Sequence, residues 1–164
     1  MVLRQTSICL LALLAITPAW AEDFETRLAS SPHTDGTRAN VAGEGRAKVS
    51  LDGRTLTVGG NFQGLASAAT AAALYNGAGI GVPGSKAFDL TVTQDVTGSI
   101  SGTLTLTARQ AAELRRGHFY VQINSQKAPN GNLTGWLLPP HPFAGEAVPV
   151  KGHGFLPQLD IPRK

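Results

Sequence analysis

One stretch, residues 118–138, constrains the fold more than any other part of the sequence. Its first half alternates the apolar residues Phe119, Val121 and Ile123 with more polar ones, and this period of two is typical of a half-buried β-strand. The Pro-Asn-Gly at 129–131 then favours a chain reversal, because proline fixes φ and Asn-Gly tolerates positive φ. The remaining residues return as the partner strand, so the sequence predicts a β-hairpin here.

The same alternation predicts further strands upstream, followed by one short helix. Asp52-Gly53 is typical of a tight turn between two of these strands. Thr107 and Gln110 fit a capping box and Gly117 fits a C-cap, so we expect a helix at 108–116. Five more strands are expected at residues 24–30, 43–51, 54–65, 87–92 and 98–107. Strands at this spacing, joined by hairpin turns, predict a single all-β sandwich or barrel that is mostly antiparallel.

Three segments fit this pattern less simply. Residues 67–75 are rich in alanine, which favours a helix by propensity, so both helix and strand remain open there. Gly59-Gly60 lies inside a predicted strand and indicates a bulge or a close backbone approach. Residues 76–84 (NGAGIGVPG) predict a loop. Such a loop holds phosphate only when a helix N-terminus follows, and a strand pattern follows here, so an ordinary loop is favoured.

The two ends of the chain differ from its β-rich middle. Residues 1–21 contain a basic residue, a short apolar run and an Ala-Trp-Ala ending, which fit a signal peptide cleaved after Ala21. The apolar run is too short to span a membrane. Residues 139–164 are rich in proline and show no alternation, so we expect an extended or disordered tail. The domain is therefore predicted over 22–138, in a periplasmic or secreted protein with no membrane span after cleavage.

Composition narrows the chemistry that the protein can perform. Its only cysteine, Cys9, lies in the predicted signal peptide, so the mature chain has no disulfide and no thiolate chemistry. An exported protein without disulfides fits a bacterial envelope better than a small secreted eukaryotic domain. The net charge of +3 is too small to indicate nucleic acid binding. No paired carboxylates and no G-x-S-x-G motif are present, so we expect no catalytic residues, no cofactor and no enzymatic activity.

Four landmarks in this order resemble the CHRD domain family, and the resemblance covers about residues 24–138. The landmarks are LDGRTLTVGGNFQGL, ATAAALYNGAGIGVPGSKAFDL, GTLTLTARQAAELRRGHFYVQIN and PNGNLTGWL. The resemblance implies a Greek-key β-sandwich or barrel. It also implies a strand at residues 71–75 rather than a helix.

The resemblance implies a histidine pattern that this chain lacks. The family typically shows H-x-H on one strand and N-x-H-T on another, and two imidazoles on one strand face are a potential metal pair. The corresponding residues here are Ala73, Tyr75 and Asn124. An alanine cannot bind a metal and an amide is a poor ligand for zinc or copper, so we expect no metal site. A copper- or zinc-handling periplasmic protein is the alternative, and a dismutase-like or hydrolytic enzyme is a third reading by fold analogy alone.

Two of the positions that lack the family's histidines, together with neighbouring residues, form a candidate polar binding face. It consists of Tyr75, Tyr120, Gln122 and Asn124, and it requires the two strands that carry them to be neighbours. The same residues otherwise form an ordinary solvated strand face. The chain's own histidines lie elsewhere, without partners at metal spacing: His33, His118, His141 and His153. The sequence therefore predicts an exported, non-enzymatic binding module whose partner is an unknown protein or another envelope component.

Overall fold

A computed structural model describes residues 21–139. The predicted signal peptide (1–21) and the predicted tail (139–164) lie outside the described residues except for Ala21 and Pro139. The described chain contains eight strands, one α-helix and one 3-10 turn at Arg38–Asn40. The strands are β1 (Glu22–Ser30), β2 (Glu44–Asp52), β3 (Thr55–Gln63), β4 (Ala69–Asn76), β5 (Ser85–Val92), β6 (Gly98–Thr105), β7 (Phe119–Ser125) and β8 (Leu133–Trp136), and the helix α1 spans Ala108–Arg115.

The eight strands close into an antiparallel barrel. Their order is β1-β2-β3-β6-β5-β4-β7-β8, with β8 returning to β1. Strands β4, β5 and β6 pair in sequence, and β3 pairs with β6 across a longer connection, which is a Greek-key arrangement. The prediction of an all-β Greek-key domain with one short helix is confirmed, and the alanine-rich segment is a strand.

Two short pairings join what are otherwise two larger sheets. Residues 91–92 of β5 pair with 100–101 of β6, and residues 29–30 of β1 pair with 133–134 of β8. In contrast, β2 and β3 pair along the whole of both strands. The barrel is therefore also a sandwich, with β1, β2, β3 and β6 on one side and β5, β4, β7 and β8 on the other.

The hydrophobic core fills the barrel interior and follows the alternation of the strands. Phe24, Phe62 and Phe119 are its largest fully buried side chains, and Val121 and Ile123 lie beside them as predicted. Helix α1 adds Ala111 and Leu114 to this core. Burial of these apolar side chains is the main stabilising contribution to such a fold.

Helix α1 has the caps that its sequence predicts. The Thr107 hydroxyl accepts a hydrogen bond from Gln110 N, and Gln110 Oε1 accepts one from Thr107 N, which completes the capping box. Gly117 follows the helix with a φ of 74°, a conformation that favours glycine. Within residues 21–139, no helix is long and apolar enough to cross a membrane.

The glycine pair of β3 forms no bulge, and only Gly60 is a close backbone approach. β3 pairs with β2 and β6 without a shift in register. A Cβ atom at Gly60 would lie 2.5 Å from the carbonyl oxygen of Arg46, so no larger residue fits there without movement of the backbone. A Cβ atom at Gly59 would meet no atom within 4 Å. The two glycines therefore have different roles, and Gly59 faces open space.

Candidate functional site

The strands that carry the candidate face are neighbours in the barrel. β4 pairs with β7, which places Tyr75 directly opposite Tyr120 and Ala73 opposite Gln122. Asn124 lies opposite Ala71 in the same pairing. The structure therefore brings together all four candidate residues, namely Tyr75, Tyr120, Gln122 and Asn124.

Three aromatic rings cross this face, and we call them the aromatic row. The rings of Tyr75 and Tyr120 stack with centroids 5.1 Å apart and planes 15° apart. Trp136 lies opposite Tyr120 on β8, and its ring is tilted against that of Tyr120 with centroids 4.6 Å apart. Because each ring packs against the next, the row presents ring edges and not a continuous flat surface. Such contacts stabilise the pairing of the three strands.

A glycine-rich loop, residues 77–84, covers the middle of the aromatic row. Gly84 N donates a hydrogen bond to Tyr120 Oη at 3.4 Å, and a Cβ atom at Gly77 would lie 2.8 Å from Cη2 of Trp136. Tyr120 is only 4% exposed, whereas Tyr75 and Trp136 are half-buried. The loop was expected, but its packing on Tyr120 was not, because the sequence pattern contains no signal for that long-range contact.

Amide and hydroxyl groups lie beside the aromatic row, and we call Gln122, Asn124 and Thr134 the amide patch. Gln122 Nε2 donates to Asn124 Oδ1 at 2.8 Å and to the carbonyl oxygen of Asn130 at 3.3 Å. Thr134, opposite Gln122 on β8, has its hydroxyl 2.6 Å from that of Ser31. All three side chains of the patch are half-buried. They are therefore partly held in place and partly accessible to a ligand.

Sequence reasoning missed two residues of this face, Trp136 and Thr134. Both lie on β8, which pairs with β7 so that they face Tyr120 and Gln122. The hairpin at 118–138 was predicted, and its alternation was the signal that could have found them, because alternate residues of paired strands share a face. The sequence did not reveal the register of β8 against β7, because this register depends on the turn at 129–131.

The positions of the missing histidines lie close together on β4 and β7. They are occupied by Ala73, Tyr75 and Asn124. His118 precedes β7, at the opposite end of that strand from Asn124. Among residues 21–139, no group of three or more histidine, cysteine, aspartate or glutamate side chains is placed to hold a metal ion. The tail histidines His141 and His153 lie outside the described residues.

One ion pair flanks the aromatic row at its β5 end. Lys86 lies opposite Tyr75, and its Nζ lies 2.8 Å from Asp89 Oδ1. The hydrogen bond and the charge of Asp89 raise the pKa of Lys86 above its usual value. The charge of the lysine is therefore balanced by the neighbouring carboxylate.

A family model for the CHRD domain matches residues 24–137, from β1 to the end of β8. This chain belongs to the CHRD family. The match includes both the aromatic row and the amide patch, so these features lie within the CHRD domain itself. No curated protein and no solved structure matches the chain. The function of this CHRD domain must therefore be inferred from its own side chains.

Proposed function

We propose that this CHRD domain is a non-enzymatic binding module of the bacterial envelope, exported by an N-terminal signal peptide. Its ligand is a protein or another envelope component, and it is bound at the amide patch and the adjoining ring edges of Tyr75 and Trp136. The observation that carries the proposal is the hydrogen-bonded pair Gln122–Asn124 on β7. It lies next to the aromatic row, which spans β7 and the two strands that pair with it. This is a compact set of neutral donors and acceptors on a rigid sheet.

The chemistry of these groups favours binding over catalysis. Amides do not titrate, and a tyrosine hydroxyl ordinarily loses its proton only near pH 10. General acid–base catalysis works best with a group that titrates near the working pH. Neutral hydrogen-bonding groups on paired strands instead suit the recognition of a partner, because the strands hold them in fixed positions.

The proposed surface can be tested by photo-crosslinking in intact cells. A photo-reactive residue at Asn124 is expected to capture a discrete partner, and the same residue at Thr103 is the control, because Thr103 is exposed on β6 outside the face. Gln122→Lys should abolish the adduct at Asn124, since it introduces a charge in place of an amide donor. An adduct that forms equally well at Thr103, or that survives Gln122→Lys, would contradict the proposal.

Titration of the purified protein with copper and zinc tests the metal-handling alternative. We expect no stoichiometric binding, because the family's histidine positions are Ala73, Tyr75 and Asn124 here. Tight one-to-one binding would overturn the metal-free proposal. Alanine variants of His118, His141 and His153 would then identify the ligands.

Export is tested separately by cell fractionation and N-terminal sequencing. We expect the protein in the periplasmic or extracellular fraction, with Glu22 as its first residue. Recovery of the intact chain in the cytoplasm would contradict this part of the proposal. It would leave the binding face itself to be tested by the crosslinking experiment.

A further inference from the structure

A polar groove crosses the outer face of β1, β2 and β3, on other strands than those of the aromatic row. One part of it has a volume of about 680 Å³, and an adjoining part of about 670 Å³ extends to the β5–β6 turn at Thr97. The two parts share Arg27, Arg46 and Asn61. They therefore form one continuous depression, which we call the β1–β3 groove.

The floor of the β1–β3 groove is low because β3 has a glycine at its centre. Gly59 lies opposite Lys48 of β2 on one side and opposite Ser101 of β6 on the other. No atom lies within 4 Å of the position that a Cβ at Gly59 would occupy. The absent side chain thus leaves a notch between a lysine and a serine, with room for a ligand group.

Two arginines face each other across this groove. Arg27 of β1 lies directly opposite Arg46 of β2. Like charges in directly opposite positions destabilise a sheet, so this pair has an unfavourable effect on folding unless an anion lies between the two side chains. Glu44 compensates the charge of Arg27, with its Oε2 2.9 Å from Arg27 Nη2. In the part of the chain that the structure describes, Arg46 makes no ion pair.

The other charges of the groove are also balanced, which leaves Arg46 as the uncompensated one. Lys48 Nζ lies 3.4 Å from Glu25 Oε1 and 3.9 Å from Asp23 Oδ2. Asp23 does not line the groove, so three cations of the lining stand against the carboxylates of Glu25 and Glu44. The lining therefore has one excess positive charge, which matches a ligand group of charge −1. A guanidinium presents a planar fork of donors that binds a carboxylate through two parallel hydrogen bonds.

We propose that the β1–β3 groove binds an acidic oligosaccharide and that Arg46 holds one of its carboxylates. The rest of the lining suits a chain rich in hydroxyl groups, because Asn61, Gln63 and Thr97 contribute amides and a hydroxyl. A peptide is a poorer fit. Peptides commonly bind by adding a strand to a free sheet edge, and β2 lies between β1 and β3 in a closed barrel without such an edge.

The proposal is tested by calorimetric titration of the full-length protein with a galacturonate hexamer at low ionic strength. We expect binding that weakens as salt is added, because the groove and its ions are exposed to solvent. Arg46→Gln should weaken the affinity about tenfold or more, the effect of losing one charge-assisted hydrogen-bonding group. The matched control is Arg54→Gln, which removes the same charge from the exposed β2–β3 turn outside the groove and should leave the affinity unchanged.

A second variant tests the notch independently of charge. Gly59→Gln fills open space and removes a flexible glycine from a strand, so the melting temperature should be no lower than that of the natural protein, and the affinity should still fall about tenfold or more. Unchanged affinity in Arg46→Gln, or an equal loss in Arg54→Gln, would overturn the site. Failure of the hexamer to bind would do the same. Binding of hexaglutamate as tightly as the sugar would overturn the assignment to an oligosaccharide.

Discussion

At the residue scale, Asn132 is a buried polar side chain that fastens the long connection between β1 and β2. Its Nδ2 donates to the carbonyl oxygen of Ala42 at 2.9 Å, and its Oδ1 accepts from Ala42 N at 3.2 Å. Its own carbonyl oxygen accepts from Ser31 N, at the start of that connection. One asparagine therefore holds both ends of the segment 31–42, in the manner of a backbone pairing.

Replacement of this side chain should loosen the connection. We expect Asn132→Ala to lower the free energy of unfolding by about 1–3 kcal/mol, because two hydrogen bonds are lost and buried groups are left unpaired. The matched control is Asn130→Ala, at an exposed position two residues away, which should change stability by no more than about 0.5 kcal/mol. Urea denaturation measures both. Equal effects of the two substitutions would mean that the contacts to Ala42 contribute nothing.

At the element scale, β7 tests whether the two faces of the strands are assigned correctly. Ile123 is fully buried and its neighbour Gln122 is half-buried on the other face. Ile123→Ala should lower the free energy of unfolding by about 2–5 kcal/mol, since it leaves a cavity in the core. Gln122→Ala, on the same strand, should lower it by less than about 1 kcal/mol. The reverse order of effects in thermal or urea unfolding would contradict the register of β7.

Glu113 links helix α1 to the end of β4 and makes stability depend on pH. Its carboxylate accepts hydrogen bonds from Arg109 Nε and Asn76 Nδ2, and these bonds lower its pKa below the usual value of 4.5. A carboxyl whose pKa is lowered by folding stabilises the protein above its unfolded pKa. That stabilisation is lost as the pH falls through the lower, folded pKa.

The corresponding prediction compares Glu113→Gln with the natural protein over a range of pH. The variant should be less stable at pH 7, and the difference should shrink as the pH falls below 4.5, where the natural side chain also becomes neutral. Urea midpoints at neutral and acidic pH measure the difference. Glu25→Gln is the control, because Glu25 is exposed and its contact with Lys48 is screened by solvent. A gap that stays constant with pH would show that Glu113 acts through packing and not through its charge.

The elements themselves were largely predictable, because alternation and caps are local signals. The capping box at Thr107 and the turn at Gly53 both appear as expected. The burial of Tyr120 was not predictable, since it depends on a loop from a distant part of the sequence. The β1–β3 groove was missed for a similar reason. Nothing local indicates that Arg27 will lie opposite Arg46, because only the register of β1 against β2 sets that pairing.

At the scale of the whole molecule, the barrel has two short seams where its two sheets join. Residues 91–92 pair with β6 and residues 29–30 pair with β8 over two positions each, and one further bridge joins Glu25 to Leu138 just beyond β8. Local opening occurs most easily where few contacts must be broken. We therefore expect the amides of these residues to exchange with deuterium faster than those of 47–50, at the centre of β2. Slower exchange at both seams would mean that the barrel opens elsewhere.

The Greek-key order of the strands was predicted from the family resemblance, because alternation predicts strands but not their order in space.

The burial of Asn132 also affects how this protein can be produced. Asn132-Leu133-Thr134 is an acceptor sequence for N-linked glycosylation, which eukaryotic secretory cells attach to the nascent chain before folding. In the folded domain this side chain is completely inaccessible and both of its amide atoms are occupied. A sugar attached there would keep the β1–β2 connection from docking, so secretion from yeast or mammalian cells should yield a misfolded product, whereas a bacterial host avoids the modification.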